Sequence, residues 1–371
     1  MKLVLLRSNL KESVGLIDRA TGDIPNLPIL KNALIEAKDG RITISATNLE
    51  IGIRAVVPGK IIEQGSVVVP LSLLSGLLSG LQSDRLNLEA KGTKIDLATD
   101  NYTATLQGFL SDDFPRLPKI KEGSQIIGIK GVILKDAIQQ VVVASQFSDI
   151  RPELNSTLFD FSFESLKLAA TDGFRLAEKT IPKNTIEIKK EKEPFRILVP
   201  LKTAQEVSRD VAGDEMVSIY HDENQILFKT ERVEIISRLI NGQFPDYSRL
   251  VPEKFMTEIL VDREEFTNAV KVVSVLGQKN SEIALTLHHD KKNMIIHSSD
   301  QTMGENQYII PVKTKGDDLD IVFNWRHIAD AIKALSGEEI LFGFQEETNP
   351  AMIKSVNDNS YFYILKPLIK G

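Results

Sequence analysis

At 371 residues the chain is longer than one compact core supports and fits two to four domains. Hydrophobic residues at 42% and charged residues at 26% are those of an ordinary soluble globular chain, and the lack of cysteine excludes disulfides, thiolate metal sites and cysteine nucleophiles. A formal net charge of −6 excludes a uniformly basic nucleic-acid binder, leaving room only for a local basic surface within an acidic exterior.

The opening Met1-Lys2-Leu3-Val4-Leu5-Leu6-Arg7 carries too short an apolar run for a signal peptide. No stretch approaches the roughly 18–20 apolar residues of a membrane span, so a cytosolic protein without a membrane partner is expected. After this first short strand, Leu10, Val14, Ile17 and Ala20 recur at helical spacing, with Ser8 at the N-cap position. Asp39-Gly40 marks a turn before the alternating strand 41–46. Val67-Val68-Val69-Pro70 then leads into a helix over 71–81, Pro suiting a helix start. The polar, Pro-rich Asp113-Phe114-Pro115-Arg116-Leu117-Pro118 reads as a linker.

The same order then returns. Leu134, Ile138, Val141 and Ala144 make a second apolar helix face, and 165–170 a second alternating strand. Ile197-Leu198-Val199-Pro200 leads into a helix over 201–212 closed by Gly213, and Phe244-Pro245-Asp246-Tyr247 lies in a second linker. A third copy starts near Glu258: Phe266, Val270, Val273 and Leu276 form a helix face, 293–298 a strand, and 320–324 leads into a helix over 325–335 before Gly337. Leu10-Lys11-Glu12-Ser13-Val14 matches Leu134-Lys135-Asp136-Ala137-Ile138, and Ala46-Thr47-Asn48 matches Ala170-Thr171-Asp172, at one offset of 124 positions. Three like units are predicted, 1–123, 124–252 and 253–371. Each is an α+β domain with two helices on one face of antiparallel sheet and about eight strands.

Catalytic motifs are missing. The sequence contains no Walker loop, no Gly-x-Gly-x-x-Gly and no Gly-x-Ser-x-Gly. His288-His289-Asp290 would alternate across a strand and chelate poorly, so a solvated turn before Lys291-Lys292 is predicted. His221, His297 and His327 have no spacing partner, and neither metal nor cofactor is expected. Thr171-Asp172-Gly173-Phe174-Arg175 pairs an acid with a base, but a tight turn with a salt-bridged Asp explains it better and leaves a binding role open. Lys11, Arg19, Lys135, Lys202, Arg209, Arg263, Lys271, Arg326 and Lys333 fall on the repeated helices, mixed with Glu12, Asp18, Asp136, Glu206 and Asp210.

With the repeats, Ala170-Thr171-Asp172-Gly173-Phe174-Arg175-Leu176-Ala177 and Phe244-Pro245-Asp246-Tyr247 in view, the chain resembles the bacterial DNA polymerase III beta subunits, the sliding clamps. The resemblance spans nearly the whole chain and includes Leu27-Pro28-Ile29-Leu30, Thr47-Asn48-Leu49-Glu50 and Arg151-Pro152-Glu153-Leu154. It implies three DNA-clamp domains per chain, with antiparallel sheets outside and two helices per domain lining a central hole. It further implies a ring-shaped head-to-tail homodimer that encircles duplex DNA without reading its sequence. The helix cations Lys11, Arg19, Lys135, Lys202, Arg209, Arg263, Lys271, Arg326 and Lys333 would then face DNA, as weak phosphate contacts suited to sliding. A heterologous interface closes into a ring only if its rotation closes. By similarity the seam would set Ala104 and Leu106 against Val275 and Leu276 of the second copy.

The resemblance also implies a non-enzymatic processivity factor. Its partners would be the DNA polymerase III catalytic subunit, the clamp-loader complex and other clamp-motif proteins, met in the cytoplasm at the nucleoid. A groove for their short peptides would be built from Leu154, Thr171, Gly173, Phe174, Arg175 and Leu176, extended by Pro245, Arg249 and Leu250, and closed by Ile364, Leu365, Pro367 and Leu368. The tail departs from the family pattern of apolar, Pro, apolar, Arg: Lys366 precedes Pro367 and Ile369 stands where Arg is usual, which predicts a changed peptide preference. Asp23-Ile24-Pro25-Asn26 lacks the Arg that often meets DNA there, and the connector Phe147-Ser148-Asp149-Ile150-Arg151 is short. Two competing readings are a repeat-built interaction scaffold that does not encircle DNA, and an enzyme using Asp172 and Arg175.

Overall fold

The computed structural model describes residues 1–118, 120, 125–148, 150–188, 194–211, 213–277, 281–288 and 292–368. Helix periodicity placed the helices well. They are α1 (Arg7–Ile17), α2 (Leu71–Gly80), α3 (Gly131–Val142), α4 (Leu201–Asp210), α5 (Arg263–Val273) and α6 (Trp325–Ala334). Each buries the stripe its spacing predicts: Leu10, Val14 and Ile17 on α1, Leu134, Ile138 and Val141 on α3, and Phe266, Val270 and Val273 on α5. Leu276 lies beyond the end of α5, which stops at Val273. Helix ends were read one or two residues long because Leu81 and Leu335 already have extended backbone. Ser8 is not an N-cap: α1 begins at Arg7 behind Leu6, with no side-chain cap. The first strand runs directly into the helix, and the Arg7 N–H is satisfied by the Asp84 carbonyl instead.

Among the described residues, three runs of nine strands, over residues 2–107, 125–238 and 257–365, replace the expected eight per repeat. The additional strands are short edge pieces such as Ile186–Ile188 and Lys313–Lys315. Lys38 pairs with Arg41, so Asp39-Gly40 is the two-residue hairpin turn the sequence announced.

The chain divides into two compact units. The first comprises Met1–Val132, Glu187–Lys192 and Glu206–Leu239. Its larger sheet has nine strands in the order Ile186–Ile188, Gln125–Lys130, Met216–His221, Gln225–Lys229, Val233–Arg238, Ile51–Val56, Arg41–Thr47, Asn32–Lys38, Gly65–Pro70. Here the last strand of the second repeat pairs antiparallel with the first repeat, Ile236 opposite Gly52. Its smaller sheet has five strands and ends at Thr103–Gln107, whose outer edge has no strand neighbour among the described residues.

The second unit comprises Ile133–Ile186, Glu193–Gln205 and Ile240–Gly371. Its nine-stranded sheet is ordered Phe195–Pro200, Ser156–Phe161, Ser165–Thr171, Arg175–Pro182, Tyr361–Leu365, Ala351–Ser355, Glu339–Phe344, Thr257–Asp262, Lys313–Lys315. The second repeat joins the third here, with Leu176 opposite Ile364. A four-stranded sheet completes the unit, from Gly304–Pro311 through Asn293–Asp300 and Glu282–His288 to Leu319–Asn324. No helix among the described residues is long and apolar enough to cross a membrane.

Candidate functional site

The predicted groove residues fall on and around the seam of the second unit. Thr171 to Arg175 form a tight turn whose polar side chains satisfy its own backbone. Thr171 Oγ1 donates to the Arg175 carbonyl (2.6 Å) and accepts from the Gly173 N–H (3.1 Å). Asp172 Oδ1 accepts from the Phe174 and Arg175 N–H groups at 2.9 and 3.0 Å. Gly173 sits at φ 91°, a conformation a side chain disfavours. This is the salt-bridged turn the sequence favoured over a catalytic pair, since Arg175 Nε lies 2.9 Å from Asp172 Oδ2.

Strand alternation then sends neighbours to opposite faces. Arg175 points toward α6, where its Nη1 meets Asp330 Oδ2 at 2.5 Å and the Tyr363 hydroxyl at 3.3 Å. Burial works against the Arg175 charge, but Tyr363, Asp330 and Asp172 more than offset it and hold the guanidinium firmly protonated. Burial, then the neighbouring Arg175, lowers the pKa of His327. Leu365 shares this face and is fully buried, so it supports the site from behind rather than forming a wall.

The opposite face carries the apolar floor. Leu176 and Ile364 pack with Leu158, Ala169, Leu198, Phe244 and Met352, rimmed by half-buried Tyr247, Val251 and Phe362. Tyr247 donates to Glu178 Oε2 at 2.6 Å, and its pKa is raised by burial and then by that bond. Phe174 stands 62% exposed at the turn, with its carbonyl accepting from the Lys366 N–H (2.8 Å). Pro367 and Leu368 are half-buried, and Leu368 N–H donates to the Val322 carbonyl. Leu154 is buried in the 3-10 turn Pro152–Leu154. Half-buried Pro245 leads to Arg249 and Leu250, both exposed, which line a cavity of about 600 Å³ with Pro252, Lys254, Gln345 and Asn349. Ile369, Lys370 and Gly371 of the tail, Asp149 of the connector, and His289, Asp290 and Lys291 lie outside the described residues.

Asp330, Tyr363, Glu178 and Met352 were missed in the sequence. Two signals were there to find some of them. Alternation puts Glu178 on the same face as Leu176, and the 124 offset maps Glu206, already noted as acidic, onto Asp330.

The predicted DNA-facing cations divide into two groups. Lys11, Lys202, Lys271 and Lys333 are exposed and Lys135 half-buried, without an ion-pair partner among the described residues. The arginines are engaged. Arg209 pairs with Glu206 (2.9 Å), Arg263 Nε donates to the Gly337 carbonyl (2.7 Å), and the Arg326 guanidinium lies 4.6 Å from the Trp325 ring centre. Arg19 does not lie on a helix as expected: it sits in the 3-10 turn Asp18–Ala20 after α1, where Glu206 at 2.6 Å and Asp210 at 3.1 Å hold it. Five helices rather than six account for the cations, because α2 (Leu71-Ser72-Leu73-Leu74-Ser75-Gly76-Leu77-Leu78-Ser79-Gly80) has no charge at all. Of the predicted interface residues, Ala104 and Leu106 are half-buried on the edge strand Thr103–Gln107; Val275 is exposed and Leu276 half-buried just after α5.

A unit repeated along the chain, a turn satisfied by its own side chains and an apolar cluster at a repeat seam define a modular binding protein. Family models of the DNA polymerase III beta subunit match in succession: its N-terminal domain over residues 1–118, its central domain over 128–246 and its C-terminal domain over 248–368. The chain is 27% identical to the beta sliding clamp of Synechococcus elongatus and 28% to that of Bacillus subtilis, over 99% of both chains in each case. The crystal structure of the DNA polymerase sliding clamp from Bacillus subtilis superposes over 100% of both chains with a TM-score of 0.94 and 27% identity. The chain belongs to the DNA polymerase III beta subunit family, the sliding clamps of DNA replication. That family supplies processivity and catalyses no reaction, so the expectation of a non-enzyme stands and the enzyme reading built on Asp172 and Arg175 falls.

Proposed function

We propose that two copies of the chain close head to tail into a ring around duplex DNA and tether the replicative polymerase to it. What supports this reading is the full-length succession of three beta-subunit domains, together with a chain that repeats one unit three times. The domains are taken as 1–123, 124–252 and 253–371. The edge around Ala104 and Leu106 meets Val275 and Leu276 of the second copy, and Lys11, Lys135, Lys202, Lys271 and Lys333 give DNA a shallow, sequence-independent attraction. Arg19, Arg209, Arg263 and Arg326, already engaged within the protein, contribute less. The site of action is the cytoplasm, at the nucleoid.

The surface over Leu176 and Ile364 receives the clamp-binding peptides of the polymerase III catalytic subunit, the clamp-loader complex and other clamp-motif proteins. Phe174, Pro245, Arg249, Leu250, Pro367 and Leu368 border it, with Leu154, Thr171, Gly173, Arg175 and Leu365 holding its shape. Exposed Lys366 beside Pro367 offers a cation to the bound peptide and favours acidic motifs. Removing residues 367–371 should abolish binding of a clamp-motif peptide, read by fluorescence anisotropy, while sedimentation still shows the dimer. Unchanged peptide affinity would refute the groove.

A further inference from the structure

The apolar floor of the second unit is shut. Leu176 and Ile364 are each 3% exposed and Met352 6%, with Phe244 and Tyr247 of the second linker packed over them. A peptide reaches those side chains only if the linker yields, so the way the linker is fastened decides access. Its ends are tied by main-chain bonds: Ile240 N–H donates to the Leu198 carbonyl (2.9 Å) and Met256 N–H to the Phe344 carbonyl (2.8 Å). Between them, among the described residues, a single hydrogen bond joins 241–255 to the rest of the unit. It is the Tyr247 hydroxyl on Glu178 Oε2, at 2.6 Å.

The other polar groups of the segment turn inward on it: Ser248 donates to Asp246, and the Leu250 and Val251 N–H groups to the Tyr247 and Ser248 carbonyls. Past Tyr247 the chain borders open space, the cavity of about 600 Å³ that separates 249–254 from Gln345, Asn349 and Pro350. The first linker is built differently. Phe114-Pro115-Arg116-Leu117 matches Phe244-Pro245-Asp246-Tyr247, so Leu117 stands where Tyr247 does, and it fills the space over Gly52 with no hydroxyl to release. Taking the floor as the peptide site assigned above, we propose that residues 241–255 are a strap latched by Tyr247 on Glu178, which a clamp-binding peptide must displace. The latch sets peptide affinity, because binding is weakened by the fraction of time the strap is closed. A hydrogen bond to a buried carboxylate is strong enough to matter, and Glu178 is 6% exposed.

The test is Tyr247→Phe, which keeps the ring in its edge contact with Phe244 and removes only the hydroxyl. The full-length variant and the parent are titrated with a fluorescein-labelled clamp-motif peptide, with association followed by stopped flow. The variant should melt lower yet bind about tenfold tighter through faster association, the value of one lost hydrogen bond to a charged group. A residue that merely supports the fold would lower both. Should Tyr247→Phe not fold, Glu178→Gln keeps a neutral acceptor and should tighten binding by about threefold. A folded variant that binds no tighter than the parent, or gains only through slower dissociation, would overturn the latch and leave the groove standing. No binding by the parent or by either variant would remove the groove and the strap together.

Discussion

The two seams are built from one turn but packed differently. At the first, Thr47 Oγ1 donates to the Ile51 carbonyl (2.9 Å) and accepts from the Leu49 N–H (3.0 Å), while Asn48 Oδ1 accepts from Glu50 and Ile51. At the second, Thr171 and Asp172 make the same bonds 124 positions later. Backbone geometry is therefore copied, and function follows from what the turn carries. Ile51 is buried apolar packing where Arg175 is a guanidinium tied to α6. Gly52, the counterpart of Leu176, leaves room for Leu117 of the first unit's own linker, and a Cβ on Gly52 would collide with Leu117, while Ile236 stands where Ile364 stands in the second. Both seams are covered by their own linkers, the second by Phe244 and Tyr247 over Leu176 and Ile364, and the second differs in carrying the exposed Phe174 at its turn and the exposed Leu250 in its linker.

The largest expected effect comes from cutting the ties between strand and helix. Arg175→Ala leaves Asp172 buried without its partner and should cost about 3–5 kcal/mol in denaturant unfolding, with loss of peptide binding. Arg19→Ala exposes the same weakness at the first seam, where Glu206 and Asp210 are nearly inaccessible, but should leave peptide affinity within twofold of the parent. Equal loss of peptide binding in both variants would erase the distinction between the seams.

Next in size is Gly52→Leu, which gives the first seam the residue of the second. Leu117 must leave, and overpacking should cost about 1–3 kcal/mol. Adding Leu117→Ala should restore part of that, a coupling that a double-mutant cycle reads directly. If the two changes simply add, Leu117 does not plug the seam.

Smaller again is a pH effect at the first seam. Burial pushes the Asp210 carboxyl up to about 6, against the pull of Arg19, and its Oδ2 has no partner. The folded pKa lies above the unfolded one, so the native state binds the extra proton between about pH 4 and 6. Stability from this group therefore rises as pH falls from 7 to 5, by about 1 kcal/mol. Melting temperatures of the parent and of Asp210→Asn should converge toward pH 5; a gap that is constant with pH would contradict this. The smallest effect is Leu49→Gly. Leu49 holds φ 76° where its counterpart is Gly173, and relief of that strain should slightly exceed the entropy glycine adds to the unfolded chain. A gain of about 0.5 kcal/mol is expected, and a measured loss would show that the Leu49 side chain earns its place by packing.

Much of this was legible beforehand because it is periodic. Helix faces such as Leu10-Val14-Ile17 and alternating strands such as Arg41–Thr47 follow local rules, and the repeat multiplies each signal. The turn at Thr171 was readable because its side chains bond locally. What stayed hidden depends on distant partners. Nothing near Arg175 in sequence announces Asp330, nothing near Tyr247 announces Glu178, and nothing near Arg19 announces Glu206 and Asp210. Ser8 misled because a good capping residue was present, but the strand before α1 leaves no room for a cap turn.

Retention on DNA in the proposed function is topological: the clamp stays because it is closed, not because it grips bases. The chain, loaded by a clamp loader onto a nicked plasmid that is then sealed, should remain with the circle through gel filtration in high salt. It should be lost at once when a restriction enzyme opens the same circle. Equal retention on the sealed and opened plasmids, or no retention on either after loading, would contradict it.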